Sequence, residues 1–204
     1  CIGTDSAVID QFWTNVGYFN SLKDLGSADT LIIDRVCAYA ESLRRHKFSD
    51  YASKVEMPRI SNEYEYGELT SRKSSREITE VRNQLDKQHY PNPAALNYVL
   101  SSNMLSVGID INRLGLMTVY GQPKATAEYI QATSRVGRSN PGLVIVLLHM
   151  LRTRDKSHFE QFKTYHQALN KMVEPTSATP YACRTMDKAL HSVFVTLIRH
   201  LCPD

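Results

Sequence analysis

No stretch of this chain reads G-x-x-x-x-G-K-[ST], and no acidic Asp-Glu segment of the Mg²⁺-binding kind follows a strand-like run. A complete phosphate-loop ATPase is therefore excluded. Also missing are a nucleophile elbow, an HExxH zinc pair and a full dinucleotide glycine fingerprint, which disfavours a self-contained α/β enzyme of another kind. The four cysteines, Cys1, Cys37, Cys183 and Cys202, are scattered without a CxxC pair, and no histidine pair has helical or finger-type metal spacing. That usage points to a reducing compartment and no structural metal. No apolar run reaches the roughly 18 residues of a membrane span, and no charged-then-apolar leader opens the chain. The expectation is a soluble, cytoplasmic protein with no membrane partner. Lys and Arg number 24 against 21 acidic residues, a net charge of +3, so any basic surface must be local.

What is present is the octapeptide Gln131-Ala132-Thr133-Ser134-Arg135-Val136-Gly137-Arg138. On a helix, offsets of four and three set Gln131, Arg135 and Arg138 on one face. Two guanidiniums converging toward a glycine break suit phosphate oxygens, because each stays charged and donates in a planar fork. Arginines near a helix C-terminus also complement its dipole, and Gly137 could be a plain C-cap. The neighbouring elements decide between these readings.

Phe12 to Phe19 mixes aromatics with Val16 and predicts a strand ending in Asn20-Ser21, which can cap a following helix. Leu31, Ile32, Val36, Tyr39 and Leu43 then recur at helical spacing after Gly26, before the basic exit Arg44-Arg45-His46-Lys47. Lys47 to Asn62 has no clear period and reads as a surface connection. A short strand at Tyr64 to Leu69 leads through the turn Thr70-Ser71-Arg72-Lys73 to a helix over Ser74 to Gln88, striped by Ile78, Val81 and Leu85.

The middle third repeats one logic twice. Strands at Leu96 to Leu100 and Leu116 to Tyr120 run into polar and glycine residues, Ser101 to Asp110 and Gly121 to Lys124. Ligands of open α/β sheets gather at such carboxyl ends. Pro123 suits the first turn of the next helix, with Ala127 and Ile130 packing on the sheet while Gln131, Arg135 and Arg138 point to the edge. Leu143 to Leu148 predicts a further buried strand. Beyond Arg152 the chain turns helical: Phe159, Phe162, Tyr165, His166 and Leu169 form one stripe, and Ala189, Val193, Leu197 and Leu201 a second. The expected organisation is an α/β domain over residues 1–152 and a helical extension over 153–204.

These residues resemble the C-terminal RecA-like lobe of superfamily 2 DNA and RNA helicases. Gln131, Arg135 and Arg138 match its QxxxRxxR element, motif VI; Ser102-Asn103 through Gly108-Ile109-Asp110 match motif V; Phe19-Asn20-Ser21-Leu22 resembles motif IV and Thr70-Ser71-Arg72 motif IVa. GQPKATAEYIQATSRVGR, VEPTSATPYACR and the helical tail look most like the large helicase of DISARM-type phage-defence systems. The resemblance implies a RecA-like parallel sheet flanked by helices, with a C-terminal helical extension, and it implies a division of labour. Arg138 would be an arginine finger for ATP, Arg135 a second clamp on the γ-phosphate, and Gln131 an orienting group for phosphate or attacking water. Gly108 and Asp110 would sit at the nucleotide, Asp110 accepting a hydrogen bond from ribose or linking to an arginine.

Ser102 and Asn103, with Asn20, Thr70, Ser71 and Arg72, would hold sugar and phosphate oxygens of one strand without reading bases. The strand would be nucleic acid, DNA ahead of RNA. Ser102 stands where threonine is usual, keeping the hydroxyl but losing the stiff β-branch. ATP with Mg²⁺ would be held chiefly by an upstream RecA-like lobe of the same polypeptide, as a chain beginning at Cys1 invites; defence-system proteins are further possible partners. Alone, the chain should be inert. The alternative is a catalytically inactive helicase-like lobe that docks nucleic acid or protein.

Overall fold

The computed structural model describes residues 6–36, 38–39, 42, 66–87, 89–90, 92, 94–102, 110–174 and 182–201. The basic run Arg44 to Lys47, the connection to Asn62, and Asn103 and Gly108 lie outside them. By contacts the chain divides into two compact units, Cys1–Val173 and Glu174–Asp204.

The first unit is built on a parallel sheet. Its strands are β1 (Asn15–Phe19), β2 (Tyr66–Leu69), β3 (Tyr98–Ser101), β4 (Leu116–Tyr120) and β5 (Leu143–Leu147). They lie in the order β2-β3-β1-β4-β5, every neighbouring pair parallel. Parallel pairing requires crossovers, and helices provide them on the faces. The unit contains α1 (Ser6–Trp13), α2 (Leu22–Leu31), α3 (Ser75–Lys87), α4 (Thr126–Thr133), α5 (Thr153–Glu160) and α6 (Phe162–Gln167), and the second unit holds α7 (Cys183–Leu201).

Local chemistry fixes these elements. Ser21 caps α2 by accepting from the Asp24 N–H at 3.1 Å, so the helix begins at Leu22 and runs through Gly26 instead of starting after it. Ser74 and Glu77 cap α3 reciprocally, the Ser74 N–H donating to Glu77 at 2.8 Å and the Glu77 N–H to Ser74 at 3.3 Å. Phe12 and Trp13 close α1 and do not open a strand. Their aromatic character reads as β-propensity, yet the Trp13 ring packs on Tyr90 with centroids 4.5 Å apart.

The core has one layer on each sheet face. Val16, Tyr18, Val99, Met117 and Val119 meet Leu85 of α3 and Ala132 of α4 on one side. Phe19 and Leu100 meet Leu25 and Ala28 of α2 and Ile32 on the other. The buried stripe of α4 is Thr126, Tyr129 and Ala132, not Ala127 and Ile130, and Pro123 lies ahead of the helix, whose cap is Ala125. The difference is one of rotation about the helix axis. Two strand tyrosines are perturbed by this packing: Tyr18 donates to Glu128 at 2.6 Å, and burial with that carboxylate pushes its phenol up, while burial pushes Tyr98 up to about 12.

Beyond β5, α5, α6 and a 3-10 turn (Leu169–Met172) replace the single helix expected from Phe159 to Leu169. Asp155 and Tyr165 are buried against the sheet's surroundings, so this stretch belongs to the first unit. In the second unit, α7 exposes Val193, Leu197 and Leu201. Among the described residues no helix is long and apolar enough to cross a membrane.

Candidate functional site

Because every strand runs the same way, the sheet has one carboxyl rim and one amino rim, about 15 Å apart for strands of this length. The expected site residues divide between them. Asn20, Thr70 and Ser102 follow β1, β2 and β3 directly and stand on the carboxyl rim. Arg135 and Arg138 do not. After β4 the chain crosses back along α4, and the Gly137 N–H donates to Leu114 O at 2.8 Å, two residues before β4 begins. The motif VI arginines therefore lie at the amino rim, which corrects the expectation that they share the carboxyl edge.

The turn itself departs from a helical face. α4 ends at Thr133, and Ser134 caps it. The N–H groups of Arg135 and Val136 then donate to carbonyls three residues back, at 3.1 and 3.4 Å, a tighter winding than the α-helix. Gly137 turns with φ +73°, where a side chain would be strained and where a Cβ would come within 2.9 Å of the Gly142 nitrogen. That geometry sends Arg138 back along the helix end. Its Nε donates to Ser134 O at 3.3 Å, and its Nη1 makes an ion pair with Asp110. The two side chains are 29% and 57% exposed, so the pair faces solvent and its guanidinium retains donors for a ligand. Gln131 is exposed in the last turn of α4, and Arg135 is half-buried beside it.

The carboxyl rim is chemically different. Thr70 is fully buried, and its hydroxyl donates to Glu68. Arg72 grips both oxygens of the same carboxylate, at 2.5 and 2.8 Å, and lies 3.9 Å from Asp29. Burial alone would raise the Glu68 carboxyl, but the hydrogen bonds from Arg72 and Thr70 outweigh it and hold the group below the usual carboxylate range. Of the motif IVa residues, Ser71 is exposed outside this cluster, and Arg72, although paired, keeps 40% of its side chain exposed. Asn20 donates through Nδ2 to Tyr120 O and Gly121 O, both at 3.0 Å, joining the ends of β1 and β4; its buried Oδ1 has no partner among the described residues. Ser102 is buried, with its N–H on Leu69 O at 3.4 Å.

Sequence reasoning missed the residues that build this rim. Glu68 lies on β2 and Arg72 in the turn after it, where no helical spacing applies, so the sequence carried no signal for the pair. Asp155 gave no local signal. It is 2% exposed and accepts from the Gln122 N–H at 3.0 Å and the His149 N–H at 2.9 Å, binding the exits of β4 and β5 to α5. Arg152 extends the network to Asp24 at 2.8 Å and lies over the Tyr120 ring.

A helicase conserved C-terminal domain model matches residues 28–140, more than half of the chain and inclusive of the Arg135–Arg138 turn. The chain belongs to that helicase C-terminal domain family. It is similar to the DISARM protein DrmA of Bacillus paralicheniformis, 46% identical over 200 residues, which cover 98% of this chain and 17% of that protein. Among solved structures it is similar to the DUF1998 helicase MrfA bound to DNA (TM-score 0.61, 15% identity, 89% of this chain and 22% of that one). It also resembles the Mycobacterium smegmatis helicase Lhr bound to ssDNA and AMP-PNP (TM-score 0.53, 16% identity, 84% and 19%). This helicase C-terminal domain thus has the RecA-like fold and spans about a fifth of the length of each of these three proteins.

Proposed function

We propose that this domain is the second motor lobe of an ATP-dependent superfamily 2 helicase or translocase of the DISARM phage-defence type. The observation that carries the proposal is the amino-rim cluster: Arg138 held at the surface by Asp110, with Gln131 and Arg135 on the same turn. The two guanidiniums donate to phosphate oxygens and repel a cation, so Mg²⁺ would be held with ATP by a first lobe. When bound, ATP supplies a γ-phosphoryl group whose transfer spreads negative charge over its oxygens. Arg138, released from Asp110, would stabilise that charge, Arg135 would clamp the γ-phosphate, and Gln131 would orient phosphate or water. Asp110 would then be available to the ribose.

The carboxyl rim would carry the nucleic-acid strand, through backbone amides and the hydroxyls of Ser71 and Ser102, with Thr70, Arg72 and Asn20 shaping the surface. Such contacts read no bases. DNA is the expected strand, and the two solved neighbours named above are DNA-bound proteins. Ser102 stands at one rim and Asp110 pairs with Arg138 at the other, eight positions apart in the sequence, which would couple strand contact to the arginine turn.

The test is DNA-stimulated ATP turnover of the intact protein with Arg138→Ala and Arg135→Ala made singly. Removing a preorganised charge donor from a transition state costs roughly 10²–10³ in kcat, with strand affinity little changed. Rates unchanged in both variants would assign the lobe a docking role.

A further inference from the structure

The carboxyl rim continues past the motif residues to the loop leaving β5, which carries the two most exposed large apolar side chains among the described residues, Met150 at 89% and Leu151 at 88%. This loop is built, not loose. The His149 N–H donates to buried Asp155, the Leu151 N–H to His149 Nδ1 at 3.1 Å, and the Arg152 N–H to His149 O at 3.0 Å. Between the loop and α5 lies a cavity of about 440 Å³, lined by Leu148, His149, Met150, Lys156, Phe159 and Glu160 together with Asp155. Phe159, one of the lining residues, is 71% exposed.

The composition of this cavity is specific. Leu148, Met150 and Phe159 give it an apolar wall, Phe159 is exposed to solvent, and Lys156 is the cation of the lining; of the two carboxylates there, Asp155 is taken up by backbone N–H groups, and Arg154 is exposed on the same helix. Apolar walls plus a stacking ring plus a phosphate-seeking cation is the chemistry of a nucleobase and its adjoining phosphate. Glu160 adds an acceptor for an exocyclic amine. A strand carried along the same rim would bring one phosphate per base within reach of Lys156 and Arg154.

We infer that the cavity is a nucleobase pocket, in which Phe159 stacks on one unstacked base of the strand held along the carboxyl rim and Lys156 takes its phosphate. The inference rests on the strand-binding role given to that rim above. Met150 and Leu148 wall the pocket, and the Asp155 network keeps the loop in place.

The experiment uses the intact protein and a single-stranded DNA carrying 2-aminopurine at successive positions. Binding should change the fluorescence at one position far more than at its neighbours. Phe159→Ala should abolish that response and weaken binding roughly three- to tenfold, while Phe159→Trp retains both. Lys156→Ala should lower the salt slope of binding by about one. Phe159 is exposed, so its replacement does not threaten folding. If Phe159→Ala binds within twofold of the parent with the same fluorescence profile, the pocket is overturned and the rim reading stands. A change in self-association or protein capture with DNA binding intact would overturn it equally, in favour of a docking surface for polypeptide. Failure of the parent protein to bind the DNA at all would overturn the rim reading itself.

Discussion

The two rims of the sheet carry similar residue types and use them in opposite ways. At the carboxyl rim Arg72, Thr70 and Glu68 satisfy one another, Asn20 spends both amide hydrogens on strand ends, and Asp155 is consumed by two backbone N–H groups. At the amino rim Arg138 shares a solvent-facing pair with Asp110, and Gln131 is open. An arginine with its fork filled by a buried carboxylate positions backbone, whereas one paired at the surface can exchange its partner for a ligand at little cost. On the function proposed above, the carboxyl rim would serve as a shape for the strand, and the amino rim would present Arg138 and Gln131 to ATP.

Breaking the carboxyl rim should produce the largest stability effect. Asp155→Ala leaves the Gln122 and His149 N–H groups without their acceptor, a loss of about 3 kcal/mol at 1–3 per buried donor. Asp155→Asn keeps one oxygen and should lose about half as much. Urea unfolding measures both, and a change under about 1 kcal/mol for the alanine variant would mean the rim is held by other contacts.

The amino rim is sharpened by its glycine. Gly137→Ala forces a β-carbon onto a φ of +73° and toward the Gly142 backbone at 2.9 Å, neither of which can give as a flexible side chain would. The expected loss is about 2 kcal/mol, from left-handed strain of about 1–2 plus the contact. Because the turn aims Arg138, ATP turnover of the intact protein should fall more than stability alone explains. Normal turnover with lowered stability would separate the turn's shape from the arginine's role.

Much of the scaffold could be read beforehand because its signals are local. The run Leu116 to Tyr120 is a strand with those bounds, and the α3 stripe of Ile78, Val81 and Leu85 packs on the core as its spacing implied. The octapeptide pointed to the helicase family for a similar reason, since its offsets are contained in eight residues. What local spacing does not encode is where a helix stops and which rim it reaches. Gln131, Arg135 and Arg138 fit one helical face on paper, but Gly137 bonds to Leu114 across the sheet and the helix ends at Thr133. Asp155 was silent for the same cause: its partners include Gln122, 33 positions away. The pairing of Arg72 with Glu68 was not legible either, because Glu68 is on a strand and Arg72 in the turn after it, and only the folded sheet brings them together and buries the carboxylate.

The smallest effect expected here concerns that pair and has a pH signature. Glu68 carries a carboxyl held below its ordinary value of 4.5, so the folded state binds its proton less readily than the unfolded chain. Its contribution is therefore complete above about pH 4.5 and is lost as pH falls through the depressed folded value. Glu68→Gln keeps the shape and one acceptor but removes the charge, and should lower stability by about 1 kcal/mol at neutral pH, the difference between a charge-assisted and a neutral hydrogen bond. On acidification the gap between parent and variant should close, because protonation takes the same charge from the parent. Strand affinity should fall with it, since Thr70 and Arg72 lose the carboxylate that sets the turn carrying Ser71. A constant gap from pH 7 to pH 3 would show that Glu68 acts through packing, and Arg72 would then be a cation available to phosphate.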